Sequence, residues 1–581
     1  VDAVSNRVIK RRVAVGNAAE LSANLHPLLR RIYAARGVSS DNDLKLSLEQ
    51  LIPVSQLDGV AQAVELLLAH RARGSRILIV GDFDADGATS TALVVRQLRK
   101  LGFPDVQYIV PNRFQFGYGL TPEIVQLVIA RAPQLIVTVD NGVSSVAGVA
   151  AARAAGIDTL VTDHHLAGAE LPLAAAMVNP NLPGNTFPSK ALAGVGVAFY
   201  TMAALTRELV ARGECNAEST SMTELLDLVA VGTVADLVPL DFNNRILVHQ
   251  GLRRIRTGRC VAGVRALMEV SGRALEKLVA SDLGFQVGPR LNAAGRLDDM
   301  SIGIECLLTD DIERARVLAG QLAQLNHERR DLEQQMQQEA IAMVADMMPD
   351  IASLPLGVCL YEESWHQGVV GLVASRIKDR VHRPVIAMAR ADEMTLKGSA
   401  RSVPGVHIRD VLDAVATRHP GLIDKFGGHA MAAGLTIPAD RYAEFAQAFA
   451  EEVARWMTLD DAQGVVHSDG EVSMGDFTLD TARELRAGGP WGQNFPEPLF
   501  DGHFTVLETR VLGERHLKLK VQVANGPVCD AIAFRYFDAD DAQPISRSQS
   551  IEMAYRLDVN EYAGVERLQL IVEHLSVITS S

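Results

Sequence analysis

The sequence predicts a multidomain α/β protein: a mostly parallel sheet, a long connecting helix, a second α/β region and a small C-terminal β-barrel. Three observations carry that reading. From Arg76 onward, short apolar runs alternate with helical stretches, the pattern of βαβ units. Between Asp311 and Met348 no proline intervenes and Gly320 is the one glycine in a run rich in Leu, Gln, Glu and Arg, which predicts a single long helix. Towards the C-terminus, segments 502–511, 515–524, 527–535, 550–558 and 565–574 alternate apolar and polar residues, as the strands of an OB-fold barrel do.

Length and composition bound what such a chain does. At 581 residues it exceeds a single core, and roughly three or four domains are expected. With 48% apolar and 22% charged residues it is globular in class. No apolar run reaches the ~18 residues of a membrane span, and no apolar segment follows Arg7, Lys10, Arg11 and Arg12, so a cytoplasmic protein without membrane contact is expected. The cysteines (Cys215, Cys260, Cys306, Cys359, Cys529) are odd in number and never spaced C-x-x-C, which argues against a disulfide framework or a zinc ribbon. A net charge of −14 disfavours nucleic acid at face value. An acidic metal site contributes several of those negatives, however, so the net value decides little.

Residues 1–75 read as a helical, basic extension, with Leu21, Leu25, Leu28 and Leu29 at helical spacing and Pro53 as a breaker. The region 76–240 has strands at 77–80, 106–110, 135–139 and 158–162, with helices near 88–101, 122–131 and 145–155. The residues that follow these strands are the informative ones. The first strand runs into Asp82, Asp84 and Asp86, the third into Asp140-Asn141-Gly142, and the fourth into Asp163-His164-His165. Three deliveries of Asp or His to one rim outweigh coincidental capping, because the carboxyl ends of parallel strands are where ligands bind. Arg113, after the second strand, lies near the same rim, whereas Asp236, a lone acid ending the Leu225–Val234 helix, reads on its own as a cap.

Region 241–350 is a helical connector containing a small-residue loop, Gly288 to Arg296, with Arg290 and Arg296. Region 351–457 is the second α/β region, with strands at 356–361 and 384–389 and helices near 369–380, 407–417 and 440–456. Its Lys397-Gly398-Ser399-Ala400-Arg401 and Phe426-Gly427-Gly428-His429 stretches allow backbone N–H groups to approach an anion closely. Region 458–581 holds the barrel, and Trp491 and Phe495 just before it are expected to pack beneath it rather than stack on bases.

Carboxylates with one or two imidazoles suit Mn²⁺ or Mg²⁺ better than zinc. The acids are too many for one ion. Two divalent ions ~3.5–4 Å apart, clamping attacking and leaving oxygens, point to phosphoester hydrolysis. No Gly-x-x-x-x-Gly-Lys-Ser/Thr loop for a nucleoside triphosphate is present.

The motifs Asp82-Phe83-Asp84-Ala85-Asp86-Gly87, Val139-Asp140-Asn141-Gly142, Asp163-His164-His165 and Gly427-Gly428-His429-Ala430 together resemble the DHH/DHHA1 phosphoesterase superfamily. Pro111-Asn112-Arg113 with Gly117-Tyr118-Gly119, Pro289-Arg290-Leu291-Asn292-Ala293-Ala294-Gly295-Arg296, and Trp365-His366-Gln367-Gly368 narrow the resemblance to the RecJ family of bacterial exonucleases. The resemblance spans about 76 to 575. It implies a DHH domain, a DHHA1 domain and an OB-fold, and 5′→3′ degradation of single-stranded DNA to 5′ mononucleotides in repair and recombination.

It also implies roles. Asp84 and Asp86 would each hold one ion, Asp140 would bridge them, and His164 with Asp236 would complete the second site. Asp82 and His165 would be ligands or stand directly behind them, with Asp163 orienting the histidines and His429 touching a phosphate. Arg113, Arg290, Asn292, Arg296, Ser399 and Arg401 would form the pocket for the 5′ phosphate, in a channel between the two α/β lobes. A single-strand binding protein and a RecQ-type helicase are the implied partners. One departure stands out: many superfamily phosphatases carry a histidine where this chain has Val80. The rival reading, a DHH phosphodiesterase acting on short oligonucleotides or cyclic dinucleotides, fits poorly, since such enzymes generally lack the long helical insert and the barrel. A non-catalytic replication scaffold would be expected to have lost the carboxylates that are intact here.

Overall fold

In a computed structural model of the chain, residues 7–112, 116, 119–347, 354–523, 526–538, 544–562 and 564–578 are described. Arg113, Gly117 and Tyr118 lie outside them. The structure divides into two compact units, one formed by Val15–His327 with Arg486–Glu497, the other by the remaining described residues. The first element, β1 (Val8–Arg11), belongs to the second unit and is a strand within a segment whose composition predicts helix.

The first unit is built on β2 (Arg76–Val80), β3 (Asp105–Ile109), β4 (Leu135–Val139), β5 (Asp158–Thr162) and β6 (Ala176–Val178), parallel throughout and ordered β3-β2-β4-β5-β6. All five residues of β4 are buried, as expected of a strand covered on both faces. Leu78, Val80 and Ile136 pack on one face against the helices Pro122–Ile129 and Val146–Ala154. The other face carries the helices Ala85–Lys100 and Gly194–Ala211. The chain leaves β2 for the edge strand β3, then crosses back over β2 to β4, so the topological switch lies between β2 and β4. In such sheets that switch is where the crevice opens.

Gly288–Leu297, read from sequence as a loop, is a helix. Pro289 occupies its first turn, where a missing N–H costs nothing, and Ala293-Ala294 favour helix. A Cβ at Gly295 would lie 1.7 Å from the Phe83 carbonyl oxygen, so the glycine serves a close approach to the acidic loop rather than a turn. Trp491 and Phe495 also depart from expectation. They pack within the first unit on Tyr33, with ring centroids 5.9 Å and 6.3 Å away. Arg36 sits over Trp491 and Arg245 over Phe495.

The helix Ile312–Met347 leads from one unit into the next. In the second unit β7 (Val358–Tyr361), β8 (Val385–Arg390), β9 (Thr395–Arg401), β10 (Lys425–Gly428) and β11 (Ala432–Pro438) form a mixed sheet in the order β10-β11-β9-β8-β7. β7 and β8 are parallel and the other pairs antiparallel. Both glycine-bearing stretches are therefore paired strands. Gly434 faces Ser399 and Ala432 faces Arg401 across β11–β9. Ile386, Met388, Leu396, Ala400, Leu435 and Ile437 bury one face against the helices Ile408–Arg418 and Tyr442–Val453.

Beyond β12 (Val465–Ser468), which pairs in parallel with β1, come β13 (Phe500–Leu512), β14 (His516–Val523), β15 (Val528–Ala533), β16 (Ser550–Tyr562) and β17 (Val565–Val577). These five close into a barrel, β13-β14-β15-β17-β16, as the OB-fold reading requires. Register shifts between Val506 and Glu508 in the β13–β14 pair and at Ala554/Tyr555 in the β16–β17 pair help bend the long strands into closure. Among the described residues no single helix is long and apolar enough to cross a membrane.

Candidate metal centre

The acidic loop after β2 is shaped by the start of the next helix. Asp84 is the N-cap of Ala85–Lys100, its Oδ1 accepting from the Gly87 N–H at 2.9 Å. Asp86, inside the first turn, is buried, and the N-terminus of the Gly194–Ala211 helix meets it. Its Oδ2 accepts from Gly194 N–H at 2.6 Å and its Oδ1 from Val195 N–H at 2.9 Å. A helix N-terminus offers unpaired N–H groups and the positive end of its dipole, so it fixes this carboxylate. On the other flank, Asn292 Oδ1 accepts from Ala85 N–H at 2.7 Å and ties the loop to the Gly288–Leu297 helix.

Asp140 follows β4 directly, on the far side of the switch. Its φ of 61° places a non-glycine residue in the left-handed region, a conformation that persists only where its surroundings enforce it. They do so here: its N–H donates to Thr162 O at 3.0 Å, and Asn141 Nδ2 donates to Val139 O and Val80 O at 2.9 and 3.1 Å. A Cβ on Gly194 would come within 2.6 Å of Asp140 Oδ1, so this helix start admits no larger residue.

After β5, Asp163 organises both histidines. Its Oδ1 accepts from the His164 and His165 N–H groups and from His165 Nδ1 at 2.7, 3.1 and 2.7 Å, while Oδ2 accepts from Val143 N–H at 2.9 Å. Burial favours the neutral acid, but the His165 bond, both imidazoles and the Val143 N–H hold Asp163 below the usual carboxylate range. Burial likewise opposes charge on His165, yet the bond and charge of Asp163, with Asp236 and Asp82, push its imidazole up to about 9. With Nδ1 bonded to Asp163, Nε2 is the ring atom that could serve as a ligand. Asn181 and Asn179 donate to the His164 and His165 carbonyls at 2.6 and 2.9 Å.

Three groups of ligand atoms lie within 4.8 Å of one another: Asp82, Asp84 and Asp140; Asp86, His164 and Asp236; and Asp140, His164 and His165. Asp140 is common to the first and third, and His164 Nε2 stands 3.1 Å from Asp140 Oδ1 and 3.5 Å from Asp236 Oδ2. Asp236, the C-cap residue of Leu226–Ala235, is thus both a helix end and a member of the cluster. The electrostatics fit cations. Burial, then the charges of Asp86, Asp84, Asp82 and Asp236, push Asp140 well above its ordinary range. Asp236 is raised in the same way, and burial with Asp84 moves Asp86 up to about 7. Five carboxylates with imidazole and no thiolate form a donor set for hard divalent cations such as Mn²⁺ and Mg²⁺.

The other residues named from sequence lie elsewhere. Ser399 and Arg401 are on β9, on the face opposite its core, where Arg401 Nη1 donates to Ser399 Oγ at 2.9 Å. Both sit at the start of the helix Val370–Val381, 2.8 Å from where a Gly371 Cβ would lie. His429 is exposed between β10 and β11, its N–H donating to Ala432 O. Arg290 donates to Gln286 O at 2.6 Å, and Arg296 lies about 120° round the same helix from it. Sequence reasoning missed the Gly194–Val195 N–H pair and the two asparagines. A helix opening on Gly-Val-Gly is a usable signal for an anion-facing N-terminus, whereas β6, at three residues, is too short to flag the Asn179-Pro180-Asn181 that follows it.

Comparison with known proteins agrees with this architecture. Residues 76–233 match the model of the DHH family N-terminal domain, 334–456 the DHHA1 domain and 468–574 the RecJ OB domain. The single-stranded-DNA-specific exonuclease RecJ of Dickeya dadantii (strain 3937) is 56% identical over 96% of this chain and 97% of its own length. Its counterpart in Escherichia coli (strain K12) is 54% identical over 97% of this chain and 98% of its own length. The crystal structure of RecJ from Thermus thermophilus in complex with Mn²⁺ superposes with a TM-score of 0.81 at 30% identity, covering 99% of this chain and 80% of that one. The Mg²⁺ complex of RecJ from the same organism gives 0.76 at 29%, covering 99% and 79%.

Proposed function

The chain belongs to the RecJ family of single-stranded-DNA-specific exonucleases, and from that premise we propose how its residues divide the work. It is a metal-dependent exonuclease that degrades single-stranded DNA from the 5′ end to 5′ mononucleotides in repair and recombination. The observation that carries the site assignment is the sharing of Asp140 between a carboxylate group and a histidine group at the switch point of the sheet. Asp82 and Asp84 would hold one ion and Asp86, His164 and Asp236 the other, with Asp140 shared by the carboxylate and histidine groups. Two divalent ions, Mn²⁺ or Mg²⁺, when bound supply a polarised phosphodiester and a water of lowered pKa. Asp163 holds the His165 ring in one tautomer and orientation. Asp82, following Val80, takes the ligand position that a histidine fills in many superfamily phosphatases.

Ser399 and Arg401 form the core of the 5′-phosphate pocket, since a guanidinium fork matches phosphate geometry, and Arg290 and Arg296 supply further positive charge. His429 touches a phosphate near the scissile one. Asn292 acts through the acidic loop it hydrogen-bonds. The barrel adds strand binding that is largely indifferent to sequence. The enzyme works in the cytoplasm on strands opened by a RecQ-type helicase and coated by single-strand binding protein, a setting supported by the family resemblance alone.

Digestion of strands labelled separately at each end tests the activity. Labelled mononucleotide is expected first from the 5′ end, only with added Mn²⁺ or Mg²⁺, and initial loss of a 3′ label overturns the polarity.

A further inference from the structure

We propose that the first unit carries a second anion site, separate from the acidic rim, that takes a single phosphate group, either free or on a mononucleotide. The site is a cavity of about 170 Å³ lined by Tyr33, Leu44, Leu46, Arg245, His249 and the backbone of Gly488-Gly489. None of these residues belongs to the metal-binding groups.

Arg245 is the reason to expect an anion. It is only 5% exposed, and its Nη2 donates to the Asp43 carbonyl oxygen at 3.0 Å. Its Nε is buried with no partner, and among the described residues no carboxylate lies within ion-pair distance of the guanidinium. The two nearest acids are committed elsewhere. Asp43 Oδ2 accepts from the Ser39 and Ser40 N–H groups, and Asp241 caps a helix through Asn244 N–H and accepts from Ser189 Oγ. The faces of Phe495 and Phe242, 4.3 and 5.6 Å away, offset part of the cost of burial. Burial still disfavours the charged guanidinium, because Asp43 and Asp241 act on it only at a distance, and an oxyanion in the cavity would supply a direct partner.

The approach to the cavity is graded in burial. Arg245, His249 and Arg253 recur at i, i+4 and i+8 on the helix Phe242–Arg256, so they share one face. Arg245 is buried, His249 half-buried and Arg253 exposed, with Arg253 making only a long contact to Gln250 Oε1 at 3.4 Å. Burial and the charges of Arg256 and Arg253 push the His249 imidazole below its ordinary range, so the fixed charges are Arg253 at the solvent end and Arg245 at the cavity wall, with His249 a neutral hydrogen-bonding group between them. Size selects the ligand class: about 170 Å³ is far more than one water needs and less than the ~300 Å³ at which pockets hold drug-sized molecules. The phosphate enters and a nucleoside attached to it stays outside.

The test is calorimetric titration of the full chain in EDTA, which keeps phosphate from any metal, in an Arg401→Ala background that removes the pocket proposed above. Inorganic phosphate and 5′-dAMP are expected to bind with similar affinity at one site, and deoxyadenosine not at all. The double variant His249→Gln/Arg253→Gln, which leaves buried Arg245 in place, should weaken both roughly tenfold. Much tighter dAMP than phosphate identifies the nucleotide as the source and keeps the site. Absence of binding in the Arg401→Ala protein, or binding unchanged by the double variant, overturns the proposal whether or not the nuclease reading holds.

Discussion

The two five-stranded sheets use polar side chains in opposite ways. In the parallel sheet β2, β4 and β5 are largely buried and the chemistry begins where each strand stops, at Asp82, Asp140 and Asp163. In the mixed sheet Ser399 and Arg401 are within a strand, alternating with buried Gly398 and Ala400. Segments past strand ends bring four carboxylates together with Asp236 from a helix end, at the price of mutual repulsion and a strained Asp140, whereas a strand face offers donors at fixed spacing with no such cost. The first arrangement is suited to holding cations and the second to receiving an anion.

The sharpest way to break this contrast is Asp140→Ala. Activity on single-stranded DNA should fall by about a thousandfold or more, because the shared ligand of both groups is lost. In EDTA the melting temperature should hold or rise, since one of five crowded carboxylates is gone. Activity within tenfold of wild type, by initial-rate assay, would remove Asp140 from the centre.

Glycines sharpen it next. Gly194→Ala sets a methyl 2.6 Å from Asp140 Oδ1 and should cost about a hundredfold at saturating DNA. Gly434→Ala, on β11 opposite Ser399, meets nothing within 4 Å, so stability should be unchanged and any loss should appear in KM, as expected where a substrate phosphate crosses the strand. Equal kcat losses in the two variants would contradict the division.

Arg401→Ala should reduce the preference for 5′-phosphorylated over 5′-hydroxyl ends by about tenfold. An unchanged ratio in competition digests would take Arg401 out of the pocket. The smallest effect is on stability. Folded Asp86 releases its proton only near pH 7, against an ordinary value of 3.8, so the folded state binds more protons than the unfolded one between about pH 4 and 7. Metal-free protein should therefore melt a few degrees lower at pH 7 than at pH 5. Saturating Mn²⁺ should abolish that slope, and a metal-free stability that rises over this window would show the carboxylates to be less crowded than drawn.

The same contrast explains which parts of the molecule are legible in the sequence. Ile77–Val80 and Leu135–Val139 announce themselves as apolar runs, and the acids behind them stand out for the same reason. The five alternating segments of the barrel and the uninterrupted Ile312–Met347 helix are equally plain. In the mixed sheet, β9, β10 and β11 carry glycines that weaken a strand signal, so they resemble turns. Gly288 to Arg296 misleads likewise, Gly288 serving a contact with Ala235 and Gly295 one with Phe83 rather than a loop. Asp236 is ambiguous because it is both a cap and a neighbour of His164, and only distance in space separates those roles. The packing of Trp491 on Tyr33, more than 450 residues apart, leaves no local trace.

The pairing of β1 with β12 sets a condition on how the chain is made. Val8–Arg11 finds its partner only in Val465–Ser468, and Arg11 then pairs with Asp501 and Glu471 at 2.6 Å each. At roughly 5–20 residues per second, translation from one strand to the other takes about 25 to 90 seconds. Throughout that interval β1 is an unpaired edge, and its Lys10-Arg11-Arg12 charges are what protect it from other strands. A ribosome stalled before Val465 would hold a nascent chain whose first strand has nothing to join.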